Sequence, residues 1–289
     1  MELWFILAIM SAFSWGFASV LLKASLPKLG VTRTVSLLPI IEGIMYFAGF
    51  WFWRNSVSVG LEYAALALVS ALLGTVAYLC FFEAVVAGQV AIVGTISAAY
   101  PSLTVIGAVA LLSESLTAAQ LVGVAAIISG IVALSYDRNP HSERSIPRRS
   151  LSFALLAFAL WGLWSLTAKI AVSEIGAGNV FCFYVISSVA GPLVYLWFRR
   201  TRLDPLRFEG SWASWVFGIA GIALNVSGTL IFTFALSMGL ASLVVPISSA
   251  YPLVTVTAAL LLLGEKLNRL QLAALGCVIT GLLIIAIIG

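Results

Sequence analysis

The chain has 289 residues, 62% of them hydrophobic and 9% charged, with a mean hydropathy of +1.13. Soluble domains carry about 25% charged residues, so this composition excludes an ordinary water-soluble domain and describes a protein that lives in a lipid bilayer. The formal net charge of +4 does not imply a nucleic-acid partner, because the basic residues sit in short loops between apolar runs, where membrane topology accounts for them.

The first apolar segment, residues 3–22, begins in MELWF, with an acidic residue and no basic n-region, and no small-residue cleavage site precedes Lys23. It is therefore expected to stay as a transmembrane helix rather than leave as a signal peptide. Further apolar segments follow at 35–53, 63–86, 90–112 and 118–136, then, past a polar stretch, at 151–172, 179–198, 212–237, 240–263 and 269–288. Each is near the ~20 residues that cross a hydrocarbon core about 30 Å thick, and none alternates polar with apolar as a barrel strand does. The fold class is thus an all-α membrane protein with ten transmembrane helices. Cys80, Cys182 and Cys277 all lie inside apolar runs and read as small buried hydrophobes rather than a disulfide framework.

The polar stretch DRNPHSERSIPRRS, residues 137–150, divides the chain almost in half, and the halves match. A shift of 151 places Ala99-Tyr100-Pro101 on Ala250-Tyr251-Pro252, Gly88 on Gly239, Glu114 on Glu265, Gln120 on Gln271 and Gly130 on Gly281. A shift of 146 places Trp15-Gly16 on Trp161-Gly162, Ser19 on Ser165 and Lys23 on Lys169. Thr117-x-x-Gln120 and Asn268-x-x-Gln271 both read as a helix N-cap with a Gln at the third helical position. Residues 1–136 and 151–289 are therefore two five-helix repeats joined by a basic loop. Because five is odd, the second copy enters the membrane from the opposite side, and the repeats must be inverted. Such repeats mark many secondary transporters, whose halves rock about a central site.

Of the 15 Lys and Arg residues, only Arg54 and Lys169 fall on the side of the even-to-odd loops, so the other face is expected in the cytoplasm and both termini outside. Pro101 and Pro252 stand in mid-helix, where each removes a backbone N–H and clashes with the carbonyl four residues back, at Ser97 and Ser248. Irregular backbone at membrane depth is tolerated where it faces protein or a wet cavity. Helices 4 and 9 are accordingly expected to break there, paired at a central cavity.

These residues reach a family. Ten helices in two repeats, an early Trp-Gly, the paired Ala-Tyr-Pro segments, and a Glu followed by a Gln-starting helix after helices 4 and 9 resemble the drug/metabolite transporter superfamily, EamA type. The resemblance implies helices 1 to 4 and 6 to 9 around a cavity, helices 5 and 10 at the periphery, and amino acids, other metabolites or drugs as cargo, in many members outward. Related small multidrug proteins carry a glutamate eight residues before a Lys in the first helix; here that place is Trp15, so that carboxylate coupling does not carry over.

The candidate substrate-binding residues are Trp15, Glu42, Tyr78, Tyr100, Trp161, Trp164, Asn225 and Tyr251. Glu42 comes first because a carboxylate near the centre of a span is costly and marks function by default, as a proton carrier or the partner of a cationic cargo; the structural alternative is a tie to Lys23 or a hydroxyl. Glu83 lies about one turn from the end of its helix, and Glu114 and Glu265 are placed to meet helix N-termini. Trp15 pairs with Trp161 and Tyr100 with Tyr251 between the repeats, while Asn225 stands at the repeat position of Gly74. Aromatic faces suit planar or cationic cargo. Trp51, Trp53, Trp197, Trp212 and Trp215 fit membrane-interface belts, and Gly123, Gly130 and Gly281 fit close helix packing.

Enzyme chemistry lacks parts: His141 is the sole histidine, no metal-ligand cluster is evident, and no nucleophile stands beside a base. The expected function is secondary active transport of a small metabolite, an amino acid or similar, across the inner (cytoplasmic) membrane, in the export direction. An importer of an organic cation such as choline and a non-transporting receptor are the alternatives. The expected partners are the substrate, the bilayer and protons as coupling ion, with no cofactor and a monomeric state.

Overall fold

The structure, a computed structural model, describes residues 2–57, 59–87, 90–135, 147–198, 211–263 and 269–288, and among these every regular element is a helix. In chain order they are α1 (Leu3–Trp53), α2 (Leu61–Ala87), α3 (Val90–Ala98), α4 (Tyr100–Leu111), α5 (Ala118–Ser135), α6 (Arg148–Ile175), α7 (Ala177–Phe198), α8 (Trp212–Met238), α9 (Ala241–Ser248), α10 (Tyr251–Leu263) and α11 (Arg269–Ile288). Among the described residues, eight stretches are long and apolar enough to cross a membrane, accompanied by two shorter apolar helices, Ile96–Leu111 and Ala118–Leu134. Most of the basic loop and residues 199–210 lie outside the described residues, as do His141, Glu265 and Asn268.

Two of the eight stretches, Leu3–Leu26 and Lys28–Trp53, fall within α1, which turns at Gly30 with φ 77 and ψ 159. Residues 23–34, a loop by hydropathy, are therefore helical apart from that glycine. Hydropathy marks the part of a helix that meets lipid, and the polar turns around Lys23, Lys28 and Arg33 continue beyond it.

The outward faces confirm a lipid environment. Leu3, Ile6, Met10, Phe13 and Phe17 recur at helical spacing and are all exposed, while Ala8, Ala12, Trp15 and Ala18 on the opposite stripe are buried. A helix with its large apolar residues outward and small ones inward is suited to lipid outside and close backbone approach inside. Trp51, Trp53, Trp197 and Trp212 are exposed as belt residues are, but Trp215 is only 3% exposed and belongs to the core. Of the cysteines, Cys80 is buried, but Cys277 is exposed on α11, so not all three are core residues.

The helices interlock between halves of the chain. α1 packs on α7, α8 and α10, α2 packs on α6, and α4 packs on α6 and α9. α5 and α11 pair with each other: a Cβ on Gly123 would lie 3.1 Å from Gly281 O, and one on Gly130 would lie 2.8 Å from Ala274 O. Repeat-related positions make repeat-related contacts. A Cβ on Gly16 would come within 2.5 Å of Val254 Cβ, and one on Gly162 within 3.0 Å of Leu103 Cβ. Gly16 and Gly162 are related by the shift of 146, and Leu103 and Val254 by the shift of 151.

Candidate functional site

The two helix breaks lie side by side. On one side the helix stops at Ala98 and resumes at Tyr100, with Ser102 N bonded to Ala99 O; on the other it stops at Ser248 and resumes at Tyr251, with Leu253 N bonded to Ala250 O. Pro101 and Pro252, both buried, follow immediately, each in the first turn of the resumed helix, where a missing N–H costs nothing. The Ser249 Oγ donates a 2.6 Å hydrogen bond to the Tyr100 hydroxyl, which ties one break to the other. Ser248 Oγ reaches Ala8 O at 3.3 Å, whereas the repeat-related Ser97 Oγ is buried without a hydrogen-bond partner among the described residues.

Around the breaks the aromatic candidates form a connected group. Trp15 lies against Gly228, donates from Nε1 to Asn225 O at 3.1 Å, and meets Tyr251 edge-on at 6.4 Å. Trp164 lies against Gly74 and donates from Nε1 to the Tyr184 hydroxyl at 3.2 Å. Trp161 sits 5.9 Å from Tyr100. Tyr78 packs on Phe82 at 4.6 Å, and Tyr251 is within electrostatic reach of both Tyr78 and Tyr100. Asn225 joins the group through its backbone carbonyl, which also accepts from Thr229 Oγ1.

Three residues absent from the sequence candidates complete this arrangement. Phe232 bridges the two indoles, 5.3 Å from Trp15 and 5.2 Å from Trp164, while Tyr184 connects Trp164 to Tyr46, whose ring is 5.3 Å from its own. Tyr46 stands one turn after Glu42, and that spacing was the available signal; nothing in the sequence marked Phe232 or Tyr184.

Glu42 lies on the inward stripe of its helix, with Val35, Leu38, Tyr46 and Gly49, while Ile40, Ile44, Phe47 and Trp51 form the exposed stripe. Its carboxylate is within electrostatic reach of the Tyr46 and Tyr78 hydroxyls. No cation pairs with it among the described residues, and Lys23 is exposed. Two other carboxylates have clear partners. Glu83 accepts from Arg149 Nη2 at 3.0 Å and from the Tyr195 hydroxyl at 2.8 Å, joining α2, α6 and α7. Glu114 accepts from Ala241 N at 2.8 Å, Ser242 N at 2.9 Å and Ser242 Oγ at 2.5 Å. It thus meets a helix N-terminus, that of α9 across the molecule rather than that of the α5 it precedes. Lys169 donates to the other side of the same turn, to Leu236 O at 2.8 Å and Gly239 O at 2.9 Å. Among the described residues no group of three His, Cys, Asp or Glu could hold a metal ion.

The model of the EamA-like transporter family matches residues 2–136 and again 148–287. An uncharacterized protein of Methanocaldococcus jannaschii is 37% identical over 71 residues, which is 25% of this chain and 52% of that protein, so the chain spans about half the length of that curated relative. A solved crystal structure superposes with a TM-score of 0.78 at 14% identity, covering 99% of both chains, and so shares the fold.

Proposed function

The chain belongs to the EamA-like transporter family, a family of membrane transporters, and on that premise we propose that it is a secondary active transporter working by alternating access. In this reading residues 1–136 and 151–289 are inverted five-helix repeats, ten helices cross the membrane, and the cargo is a small metabolite, an amino acid or similar, moved outward across the inner membrane. The cargo is held by Trp15, Glu42, Tyr78, Tyr100, Trp161, Trp164, Asn225 and Tyr251, beside the breaks at Pro101 and Pro252.

One observation carries the alternating-access reading. Glu114 and Lys169 grip the α8–α9 turn from two sides, satisfying the first amides of α9 and the last carbonyls of α8. Lys23, the repeat counterpart of Lys169, is exposed and makes no such bond among the described residues. The counterpart turn, with Gly88 and Glu265, lies outside the described residues; a turn clamped at one end of the second repeat suits a carrier closed at that face. Export follows the habit of the resembled family.

The second reading, import of an organic cation, draws support from the uncompensated Glu42 carboxylate. Reconstitution into liposomes decides between carrier and receptor: accumulation of a labelled amino acid or amine against its gradient under an imposed proton gradient is expected. A complete lack of flux and counterflow across amino acids, amines and quaternary ammonium compounds would contradict transport.

A further inference from the structure

Two buried serines hold the same place in the two breaks but make different contacts. Ser97 and Ser248 are related by the shift of 151, each four residues before its proline, and Ala8 and Ala154 are related by the shift of 146. Ser248 Oγ donates to Ala8 O at 3.3 Å, which pins the end of α9 to α1. The corresponding acceptor for Ser97 is the carbonyl of Ala154 on α6, and that bond is not made: Ser97 Oγ is buried with no hydrogen-bond partner among the described residues. The two helices are still neighbours, since Val93, one turn before Ser97, shares a buried cluster with Ala154 and Ala84. Beyond the breaks the symmetry returns. Thr255 Oγ1 donates to Gly16 O at 3.3 Å, and its counterpart Thr104 reaches Gly162 O through the Ser165 hydroxyl, by contacts of 2.6 Å and 2.9 Å. The difference is thus confined to the α3 and α9 sides of the breaks.

Those two sides belong to opposite ends of α6. Ser150 Oγ, at the start of α6, donates to Ala84 O near the end of α2, and Lys169, near the end of α6, donates to Gly239 O at the turn that begins α9. A buried hydroxyl left unpaired is costly, so Ser97 favours any arrangement that supplies its acceptor. We propose that Ser97 and the Ala154 carbonyl are the second half of an exchangeable latch: closing α3 onto α6 makes their bond as opening α9 from α1 breaks Ser248–Ala8. In the structure α9 is held and α3 is not; the opposite state holds α3 and frees α9. Each state keeps one bond and leaves one hydroxyl unpaired, so the exchange itself favours neither, and a bound cargo with unequal contacts in the two states can tip it. This inference rests on the alternating-access reading and names contacts that differ between its two states.

The test follows a single reporter cysteine, Asn225→Cys, in full-length protein whose three native cysteines are replaced by Ala, with a membrane-impermeant maleimide applied from each face of oriented vesicles. Ser248→Ala removes the bond made in the structure, so labelling from the face that holds the α8–α9 turn should rise roughly two- to tenfold, the equilibrium effect of one net hydrogen bond. Adding Ser97→Ala removes the bond of the opposite state, and the double variant should return to the wild-type rate. Loss of packing alone would make the two changes add instead of cancel. Should Ser248→Ala fold poorly by thermal unfolding, Ser97→Cys with Ala154→Cys serves, because a disulfide forms only between backbones at close range. Once oxidised, that pair should confine labelling of the reporter to the α8–α9 face. An unchanged rate in folded Ser248→Ala, a further rise on adding Ser97→Ala, or a cysteine pair that does not oxidise or leaves the reporter open to the other face would overturn the proposal. Wild-type labelling separates it from the transport reading. Equal labelling from both faces sinks alternating access and the latch together, whereas one-sided labelling that Ser248→Ala does not move sinks the latch and leaves alternating access.

Discussion

Gly30 and Gly176 adopt the same backbone conformation, φ 77 and ψ 159 against φ 81 and ψ 152, at positions separated by the repeat shift of 146. This region of backbone space is essentially closed to residues with a Cβ. Each glycine sits at a bend between successive spans, so the turn has been kept with its geometry in both halves. Replacing either by Ala should cost about 1–3 kcal/mol from backbone strain alone. Gly176→Ala should cost more, because its Cβ would also lie 2.6 Å from Asn55 Nδ2, whereas nothing lies within 4 Å at Gly30. Thermal unfolding in detergent checks this, with the helical Gly94→Ala, also free of near neighbours, as a control that should not lose stability.

The grip on the α8–α9 turn makes a second prediction. Charge-assisted hydrogen bonds contribute about 1.5–3 kcal/mol each, so Glu114→Ala should free the amides of Ala241 and Ser242. Hydrogen exchange at the start of α9 should rise sharply in that variant and in Lys169→Ala, while exchange in the α5–α11 pair stays unchanged. Equal exchange at α9 in wild type and both variants would show that the turn is held by packing alone.

Between the breaks, the Ser249–Tyr100 bond is open to a double-mutant cycle. Ser249→Ala and Tyr100→Phe should each destabilise, and their effects should fall short of adding, with a coupling of about 0.5–1.5 kcal/mol. Additive effects would mean that α4 and α9 are joined only through their apolar contacts.

The sequence carried the repeat, the two breaks and the Thr117–Gln120 cap, because each rests on a residue type with a backbone consequence. The reciprocal bonds of that cap, Thr117 N to Gln120 Oε1 at 2.9 Å and Gln120 N to Thr117 Oγ1 at 3.2 Å, follow from spacing alone. It could not carry Phe232 or Tyr184. A membrane helix is apolar on both its lipid and protein faces, so the contrast that reveals the inward face of a soluble helix is missing. The same lack of contrast placed Trp215 in an interface belt rather than in the core. Glu114 was legible as a capping residue but not its target, since α9 is brought to it by tertiary packing across 127 residues of sequence.

Proton and amine compete for one carboxylate if Glu42 is the coupling group, and the sign of the pH effect follows. As pH falls, protonation of Glu42 removes the charge that holds the amine, so amine affinity should fall; as pH rises it should recover. Glu42→Gln should abolish this pH dependence together with uphill movement. A pH profile identical in wild type and variant would assign the coupling to another group.

The central claim is that one inner site is open to a single face at a time, and it can be tested without knowing the cargo. With the three native cysteines replaced by Ala, a single cysteine at Asn225, half-buried beside the breaks, is labelled with a membrane-impermeant maleimide in right-side-out and inside-out vesicles. The account predicts labelling only from the face opposite the α8–α9 turn, and a shift of labelling to the other face when Lys169→Ala releases that turn. Equal labelling from both faces in one state, or an access pattern that Lys169→Ala leaves unchanged, would contradict it.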